Sequence, residues 1–245
     1  MKTVIVGATS GIAKACARIW ANEPNAELVL IGRNQQSLDR VAADIKVRAP
    51  GASITTYALD LTNPYEVEDL EQKLALTGQI DRVLVAQGQL TEQRSAESDS
   101  SVLANSVTVN ATSVALFAEL AARLMASNST GSIVLIGSVA GDRGRRSNYS
   151  YGASKAFIDT YARGMQHRLA SSGIRVTLVK PGPTATPMTA GLSGFNKMAS
   201  PDQVAREIVA ASAKGQAVLY TPRIWKLIML VVKNIPTALF NKINL

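Results

Sequence analysis

Residues 4–15, VIVGATSGIAKA, join an apolar, β-rich run to a segment of helical composition through a glycine-containing turn. Gly7 ends the predicted strand and Gly11 begins the predicted helix, with Ala13 two positions further on. Glycines let a backbone turn tightly and approach a pyrophosphate, which the free N–H groups and the positive dipole end of a helix stabilise. Taken alone, this stretch is also compatible with a tight strand-to-helix turn that binds nothing.

Further apolar runs follow at intervals, from ELVLIG (27–32) to AVLY (217–220), and they alternate with segments of helical length. The runs are almost continuously apolar, as expected of strands that are buried on both faces. Alternating strands and helices imply right-handed crossovers and a parallel sheet. The pattern predicts an α/β fold over residues 1–221: one doubly wound Rossmann-type domain with a parallel seven-stranded sheet and helices on both faces. Ligands of such sheets bind beyond the carboxyl ends of the strands.

The composition indicates in which cellular compartment the protein works and which kinds of partner it binds. The chain has 245 residues, 47% of them hydrophobic, which suits one compact domain. The single cysteine, Cys16, excludes an internal disulfide, and the first residues do not form a signal peptide, so a cytoplasmic protein is expected. The formal net charge of +8 favours a nucleotide, a phosphorylated substrate or a membrane surface. Nucleic-acid binding is not expected, because no base-stacking aromatic motif accompanies the charge.

The end of the second apolar run, LIGRN, bears on the choice of nucleotide. In a dinucleotide-binding fold a carboxylate at this place holds the adenosine 2′-hydroxyl, whereas an arginine accommodates a 2′-phosphate. Here the residue is Arg33, and no acid is near it in the sequence. NADP(H) is therefore favoured and NAD(H) stays possible. An exposed arginine without a ligand is the other interpretation.

The stretch GSVAGDRGRRSNYSYGASK, residues 137–155, contains the candidate proton-transfer group. Tyr151 and Lys155 are four positions apart in a helical segment, so their side chains share one face. A nearby ammonium stabilises a phenolate and lowers the pKa of a tyrosine, and such a pair exchanges protons with a carbonyl or alcohol. Ser138, just past a predicted strand, is placed to hydrogen-bond the same oxygen. No metal site is predicted.

These motifs together resemble those of the short-chain dehydrogenases/reductases, and the resemblance extends from Val4 to about Ala213. Val6 stands where that family usually has threonine, and Ala13 where it has its last glycine. Asn110, Ser138, Tyr151 and Lys155 match the catalytic tetrad. The cofactor-binding residues that the resemblance implies are Gly7, Thr9, Ser10, Gly11, Ile12, Arg33, Asp60, Leu61, Ala86, Gln87, Gly88, Tyr151, Lys155, Pro181, Gly182, Thr184 and Thr186.

The resemblance also implies a division of roles within the tetrad. Tyr151 would donate the proton, and Lys155 would lower the pKa of that tyrosine and hold the nicotinamide ribose. Ser138 would position the carbonyl, and Asn110 would support a water that connects Lys155 to solvent. The cofactor supplies the hydride in the same step, while the protein supplies alignment. Family members are commonly dimers or tetramers, so a homo-oligomer is expected.

Three arginines, Arg143, Arg145 and Arg146, lie between Ser138 and Tyr151. Guanidinium groups suit phosphate through paired, charge-assisted hydrogen bonds, so these residues are candidates for binding an anionic substrate. A solvated loop without a ligand is the alternative. The pattern is similar to SSVAG-x-R-x-RRSN-x-x-YG-x-[ST]KA of the decaprenylphosphoryl ketopentose 2-reductases, a subgroup in which some members prefer NADH. The resemblance implies a lipid-linked keto-sugar or a similar amphiphilic ketone as the substrate.

The C-terminal extension, residues 222–245, supports the same resemblance through MLVVKNIPTALFNK. It is apolar and basic, and it contains no Asp or Glu. Its longest apolar run is far shorter than the roughly 20 residues that cross a bilayer. An interfacial helix on the inner face of the cytoplasmic membrane, with Trp225 at the boundary, is one expectation. A tail that packs on its own domain or at an oligomer interface is the other.

Two competing functions stay open on the sequence. A 3-oxoacyl thioester reductase of fatty-acid type would use the same tetrad, and its basic surface would meet an acidic acyl carrier protein. A non-catalytic nucleotide-binding subunit of a membrane complex would keep the glycine turn without needing Tyr151. Reduction of a lipid-linked ketone separates the leading hypothesis from both.

Overall fold

The computed structural model describes residues 1–191 and 198–243. The strands are β1 (Lys2–Val6), β2 (Glu27–Gly32), β3 (Ser53–Ala58), β4 (Arg82–Val85), β5 (Thr130–Ile136), β6 (Gly173–Pro181) and β7 (Val218–Thr221). The helices are α1 (Gly11–Trp20), α2 (Gln35–Arg48), α3 (Pro64–Ala75), α4 (Gln93–Ser98), α5 (Ser100–Val107), α6 (Ser113–Ala126), α7 (Tyr149–Arg168), α8 (Pro201–Ala213), α9 (Ile224–Asn234) and α10 (Thr237–Phe240). Short 3-10 turns occur at Val139–Asp142 and Pro187–Thr189, and a π-helical turn occurs at Thr108–Thr112.

The strands form one seven-stranded parallel sheet in the order β3-β2-β1-β4-β5-β6-β7. Val4 in the middle of β1 pairs with Val29 of β2 on one side and with Val83 of β4 on the other. The connections therefore reverse direction between β1 and β4, and a crevice for ligands opens beyond the carboxyl ends of these two strands. The predicted fold class is confirmed.

Alternating side chains of the strands divide the core into two layers. Val4 and Val6 of β1 pack with Phe117 of α6 on one face of the sheet. Ile5 packs with Trp20 of α1 on the other face. Each large apolar side chain that is buried in this way contributes about 1.5–3 kcal/mol relative to exposure. Burial on both faces explains why the inner strands read as unbroken apolar runs.

The segment between β4 and α6 contains structure that the sequence did not predict. Helices α4 and α5 have only six and eight residues, so neither shows an apolar period that is long enough to identify a helix. Helix α5, the π-helical turn and α6 continue as one helical stretch, Ser100–Ala126. Among the described residues only this stretch is long and apolar enough to cross a bilayer, yet Phe117 and its neighbours in α6 are core residues.

The C-terminal extension folds into α9 and α10. Helix α9 packs against β7 and against the 3-10 turn Val139–Asp142. Met229, in the middle of α9, is buried. The two last positions of the predicted extension, 244 and 245, lie outside the described residues. Part of this segment is thus packed on the domain, next to the loop that follows β5.

Candidate active site

The turn between β1 and α1 depends on Gly7. Its φ is +71°, in the left-handed region that favours glycine. A Cβ at this position would lie 2.5 Å from the backbone nitrogen of Gln87, so a side chain would push the ends of β1 and β4 apart. Ser10 caps α1 by accepting a hydrogen bond from the backbone N–H of Ala13 at 3.3 Å. The first turn of α1 is therefore held at the crevice between the two strands.

The same turn has the features of an anion site. Among the described residues, no hydrogen bond occupies the backbone N–H groups of Gly11 and Ile12 in the first turn of α1. Thr186, from the loop after β6, closes the site from the opposite side, because its methyl group lies 2.7 Å from where a Cβ of Gly11 would be. Unpaired N–H groups at a helix N-terminus bind phosphate well. These residues therefore fit the pyrophosphate of a dinucleotide.

Arg33 and Asp60 stand together at the end of the crevice where the adenosine of a dinucleotide binds. Both are exposed. The side-chain and backbone hydrogen bonds from Thr62 hold the pKa of Asp60 below its usual value, and the positive charge of Arg33 adds to this effect. The sequence offered no acid near Arg33, since the carboxylate comes from the end of another strand. Leu61, also predicted to contact the cofactor, is buried in the core.

Ser138, Tyr151 and Lys155 lie close together in the structure. Ser138 follows β5, and its hydroxyl accepts a hydrogen bond from the backbone N–H of Ala140 at 3.1 Å. The Ser138 hydroxyl lies close to the Tyr151 phenol and acts to lower the pKa of that group. Lys155 Nζ lies 5.6 Å from the centre of the Tyr151 ring and donates to the carbonyl oxygen of Ile136 at 3.0 Å. A serine, a tyrosine and an ammonium therefore meet beyond the end of β5.

Two glycines that sequence analysis did not single out make this convergence possible. A Cβ at Gly152, in the first turn of α7, would lie 2.8 Å from the carbonyl oxygen of Ala140. A Cβ at Gly141 would lie 2.7 Å from the carbonyl carbon of Lys155. Larger residues would separate α7 from the 3-10 turn that follows Ser138. Their positions on either side of the arginine loop, in VAGD and YGASK, are the only sequence signal.

Burial controls the proton affinities of the pair. It raises the pKa of Tyr151 to about 12, and the hydrogen bond with Ser138 opposes that rise. It lowers the pKa of Lys155 to about 8. The expected lowering of the Tyr151 pKa by the ammonium is outweighed, because desolvation by burial is the largest influence on this group. Tyr151 is therefore a phenol, the proton-donating form, at neutral and mildly alkaline pH.

Asn110 is fully buried in the π-helical turn. Its Oδ1 accepts from the backbone N–H of Gln89 at 2.9 Å, while Nδ2 donates to the carbonyl oxygens of Gln89 and Ser106, each at 2.9 Å. A Cβ at Gly88 would lie 3.0 Å from Oδ1 and 3.6 Å from Lys155 Nζ. Asn110 and Lys155 thus lie on the same side of Gly88. π-Helical turns occur frequently at functional sites.

The Ala86–Gly88 segment follows β4 and lines the floor of the crevice. The backbone N–H of Ala86 donates to the carbonyl oxygen of Val6 at 2.9 Å, which continues the sheet toward the glycine turn. Gln87 is buried, and its Nε2 donates to the Ser113 hydroxyl at 3.0 Å. Its Oε1 is buried without a partner among the described residues. This buried amide oxygen marks an acceptor that a bound ligand or water can use.

The loop after β6 borders the crevice from the other side. Pro181 ends β6, and the backbone N–H of Gly182 donates to the carbonyl oxygen of Thr221 at 3.0 Å. The hydroxyl of the buried Thr184 donates to the carbonyl oxygen of Gly182, also at 3.0 Å. Thr186 then reaches the glycine turn, as described above. This loop therefore carries Pro181, Gly182, Thr184 and Thr186, which the family resemblance implies as cofactor-binding residues.

The three arginines of the loop between Ser138 and Tyr151 have different surroundings. Arg143 donates through Nη1 to three carbonyl oxygens at the end of α9, those of Val232 at 2.7 Å, Lys233 at 3.2 Å and Ile235 at 2.6 Å. Its guanidinium also stacks 3.8 Å from the centre of the Phe240 ring. These partners take Arg143 away from the predicted anion-binding role and make it a cap of α9.

Arg145 and Arg146 differ from Arg143. Arg145 is half-buried, its Nε has no hydrogen-bond partner among the described residues, and burial lowers the pKa of the guanidinium. Arg146 is exposed. A half-buried guanidinium with an unmet donor gains most from an anionic ligand, because burying an unpaired polar group is costly.

Gln93, which sequence analysis did not consider, supports the start of α7. It is buried, its Nε2 donates to the Ser150 hydroxyl at 3.1 Å, and its Oε1 accepts from the Ser150 backbone N–H at 3.0 Å. These two bonds fix the residue that precedes Tyr151. A glutamine in a polar stretch gives no sequence signal of this role, since the contact spans 57 residues.

Comparison with known proteins agrees with this site. Residues 2–196 match the family described as short chain dehydrogenase. An uncharacterized oxidoreductase of Mycobacterium tuberculosis is 33% identical over 228 residues, which are 89% of this chain and 87% of that protein. An uncharacterized oxidoreductase of Streptomyces coelicolor is 28% identical over 240 residues, 98% of this chain and 94% of its own length.

The fold has a close counterpart among solved structures. A short-chain dehydrogenase from Sphingobium yanoikuyae in complex with NADPH superposes with a TM-score of 0.81 at 25% identity, covering 97% of this chain and 98% of that one. The fold and these relatives define an NAD(P)-dependent oxidoreductase. The chain belongs to the short-chain dehydrogenase family.

Proposed function

We propose that the protein is an NAD(P)H-dependent reductase of a lipid-linked keto-sugar or a similar amphiphilic, anionic ketone. The observation that carries the proposal is the grouping of Ser138, Tyr151 and Lys155 beyond the carboxyl end of β5. This group can give a proton to a carbonyl oxygen that lies in the crevice.

The proposed mechanism assigns one task to each side chain. Tyr151, kept as a phenol by burial, donates its proton to the carbonyl oxygen of the substrate. Ser138 holds that oxygen through its hydroxyl. Lys155 supplies positive charge beside the phenol, and Asn110 keeps the chain around Gly88 in place. When bound, the dihydronicotinamide supplies the hydride that reduces the carbonyl carbon.

The cofactor in this proposal is NADPH, with NADH as the alternative. Its pyrophosphate would bind at the first turn of α1, and the residues after β4 and β6 that the resemblance implies for the cofactor would line the rest of the crevice. The exposed Arg33 offers a cation for a 2′-phosphate. The relative from Sphingobium yanoikuyae, which binds NADPH, supports this choice. Asp60 reduces the preference for NADPH over NADH, because a carboxylate beside Arg33 weakens the attraction of this site for a 2′-phosphate.

The anionic part of the substrate would be bound by Arg145 and Arg146, without Arg143. The buried Nε of Arg145 supports this assignment. The lipid part follows from the resemblance to the ketopentose reductases and from the apolar C-terminal extension. We further propose that residues 1–221 form the catalytic domain and that residues 222–245 form an extension of it. The protein would be a cytoplasmic homo-oligomer in peripheral contact with the inner face of the membrane.

Replacement of Tyr151 by phenylalanine tests the proton donor. Tyr151→Phe should lower kcat by a factor of about 10²–10⁴ while NADPH binding is retained, because only the donated proton is removed. Turnover is followed by NADPH oxidation, and binding by quenching of protein fluorescence. Tyr149→Phe is the matched control, since this exposed tyrosine lies two positions earlier on α7. Equal activity of wild type and Tyr151→Phe would contradict the reductase mechanism and favour a non-catalytic subunit.

The substrate class is tested separately with purified protein and both reduced cofactors. A polyprenyl-phosphate-linked keto-pentose in detergent should be reduced, and Arg145→Met with Arg146→Met should raise its KM about tenfold while small neutral ketones are spared. A tenfold loss on both kinds of ketone would contradict an anion-binding role. Efficient reduction of acetoacetyl thioester alone would instead identify a 3-oxoacyl thioester reductase.

A further inference from the structure

Helix α9 carries two apolar faces, although only one of them meets the domain. Trp225, Met229 and Val232 form the inner face; Met229 is buried and the other two are half-buried. Trp225 packs directly on the backbone of Gly182, where a Cβ would overlap the indole ring. This contact corrects the expectation that Trp225 lies at a membrane boundary. The inner face is therefore accounted for by packing within the chain.

The outer face of α9 is defined here as Ile224, Leu227, Ile228 and Val231, which follow the i, i+3, i+4, i+7 spacing of one helical face. Their exposed fractions run from 37% for Ile228 to 66% for Val231. Leu230 of the same helix is 62% exposed. A helix on the surface of a globular protein ordinarily turns a polar face to water. A contiguous exposed apolar patch marks a surface that contacts something else.

The residues around the outer face are basic, and this charge favours an anionic partner. The last acidic residue of the chain is Glu207, and the basic residues Arg223, Lys226, Lys233 and Lys242 follow it in or beside α9 and α10. A bilayer with anionic headgroups accepts apolar side chains at its boundary and attracts nearby cations by about 1 kcal/mol each. A second copy of the chain would bring the same cations together without an acid from either segment.

The contacts of α9 with the domain hold its outer face near the candidate active site. Arg143 binds the carbonyl end of the helix, and Trp225 packs on Gly182 near its start. These contacts fasten α9 to the loop after Ser138 and to the loop after β6. Both loops border the candidate active site. Whatever surface α9 lies on is therefore held close to the mouth of the crevice.

We infer that the outer face of α9 docks on an anionic lipid surface and so brings the active site to substrates that reside in the bilayer. The apolar side chains enter the headgroup boundary, and the basic residues remain at the level of the lipid phosphates. The link to substrate rests on the reductase activity of the proposed function, whereas the docking itself does not, since it needs neither cofactor nor substrate.

Vesicle flotation of the full chain tests the docking without any substrate. Wild-type protein should float with phosphatidylglycerol-rich vesicles and much less with pure phosphatidylcholine vesicles. Leu227→Ser with Ile228→Ser should lower the partition coefficient at least about tenfold, because two large apolar side chains leave the interface. Val47→Ser with Leu76→Ser is the matched control, since both residues are highly exposed elsewhere on the molecule and should not affect flotation.

The remaining outcomes also decide the proposal. Lys226→Gln with Lys233→Gln should weaken flotation only with the anionic vesicles. Failure of the wild-type protein to float with either vesicle would overturn the docking, as would equal flotation of the Leu227/Ile228 variant and the wild type. A Leu227/Ile228 variant that changes the sedimentation coefficient instead would assign the face to a second copy. Turnover of a soluble ketone by the same variant reports on the reductase separately.

Discussion

Lys155 and Lys180 are both buried at the carboxyl edge of the sheet, with 3% and 1% of their surface exposed, but their partners differ completely. Among the described residues, no carboxylate contacts Lys155. Lys180 forms ion pairs with the carboxylates of both Asp142 and Asp159. Within the described part of the chain, Lys155 is therefore buried without a counter-charge, whereas Lys180 is buried with two.

The proton affinities diverge accordingly. Burial lowers the pKa of Lys155 to about 8. Burial also pushes the pKa of Lys180 downward, but the hydrogen bonds and charges of Asp142 and Asp159 outweigh it, and the pKa is raised. Tyr220 completes this second group by donating its hydroxyl proton to Asp142 at 2.8 Å. Lys155 can thus respond to pH near neutrality, whereas Lys180 stays charged.

A buried lysine can serve the reaction, as proposed for Lys155, or hold segments together, as Lys180 does. Asp142 lies four residues after Ser138, Asp159 lies one helical turn after Lys155, and Lys180 directly precedes Pro181. The ion pairs of Lys180 therefore join the three segments that carry the candidate site. Lys155 leaves its charge without a fixed carboxylate partner, so it remains available to a phenol and to a ligand.

The largest expected effect is on turnover after Lys155→Met. Removal of the ammonium beside Tyr151 should lower kcat by a factor of about 10³, because the positive charge that assists proton transfer is lost. Steady-state NADPH oxidation with a reducible ketone measures it. Lys155→Arg keeps a charge and should retain more activity than the methionine variant. Near-normal turnover by Lys155→Met would contradict a role of Lys155 in the reaction.

A similarly large effect, on stability, is expected for Lys180→Met. The change should lower the free energy of unfolding by about 3–5 kcal/mol, because Asp142 and Asp159 are left without their cation. Urea denaturation measures the loss. The triple variant Lys180→Met, Asp142→Asn and Asp159→Asn should recover most of it, since no uncompensated charge remains. A loss below about 1 kcal/mol for Lys180→Met would show that the pairs do not hold the segments together.

The smallest expected effect is a gain in stability after Lys155→Met, in contrast to the loss expected for Lys180→Met. Lys155→Met should raise the free energy of unfolding at pH 7 by about 1–2 kcal/mol. The interval between the ordinary pKa of 10.5 and the lowered value of about 8 corresponds to about 3 kcal/mol of desolvation. Loss of the donor to the Ile136 carbonyl offsets part of that gain. Urea denaturation of both proteins at pH 7 gives the difference.

The pH dependence of that difference provides its check. Below pH 8 the lysine is protonated in both the folded and the unfolded state, so the folded wild type bears the full desolvation cost. Between pH 8 and 10.5 the unfolded state holds the proton more tightly, and wild-type stability rises relative to the variant. The advantage of Lys155→Met should therefore shrink across this interval. A variant that is less stable than wild type at pH 7 contradicts the assigned burial cost.

Parts of the site could be predicted because their signals are local. Gly7 was predicted from a turn between an apolar run and a helix, and its positive φ agrees with that turn. Tyr151 and Lys155 share a helix face by their four-residue spacing, and Ser138 after the preceding strand strengthens the assignment. Arg143 was misjudged because its partners lie about 90 residues further along the chain. Trp225 contacts Gly182 of an earlier segment, and composition does not distinguish an inner from an outer apolar face.

The sequence alone predicts the parallel sheet from the alternation of apolar runs with helical segments and the glycine turn from a local motif. It predicts the proton-transfer group from the four-residue spacing of Tyr151 and Lys155 together with the family resemblance. Only the tertiary structure decided which buried lysine is paired, which arginine caps α9 and which face of α9 is left uncovered. Those outcomes depend on contacts between distant segments. Burial and counter-charges at such contacts set the pKa of a lysine, and no pattern within a single segment contains that information.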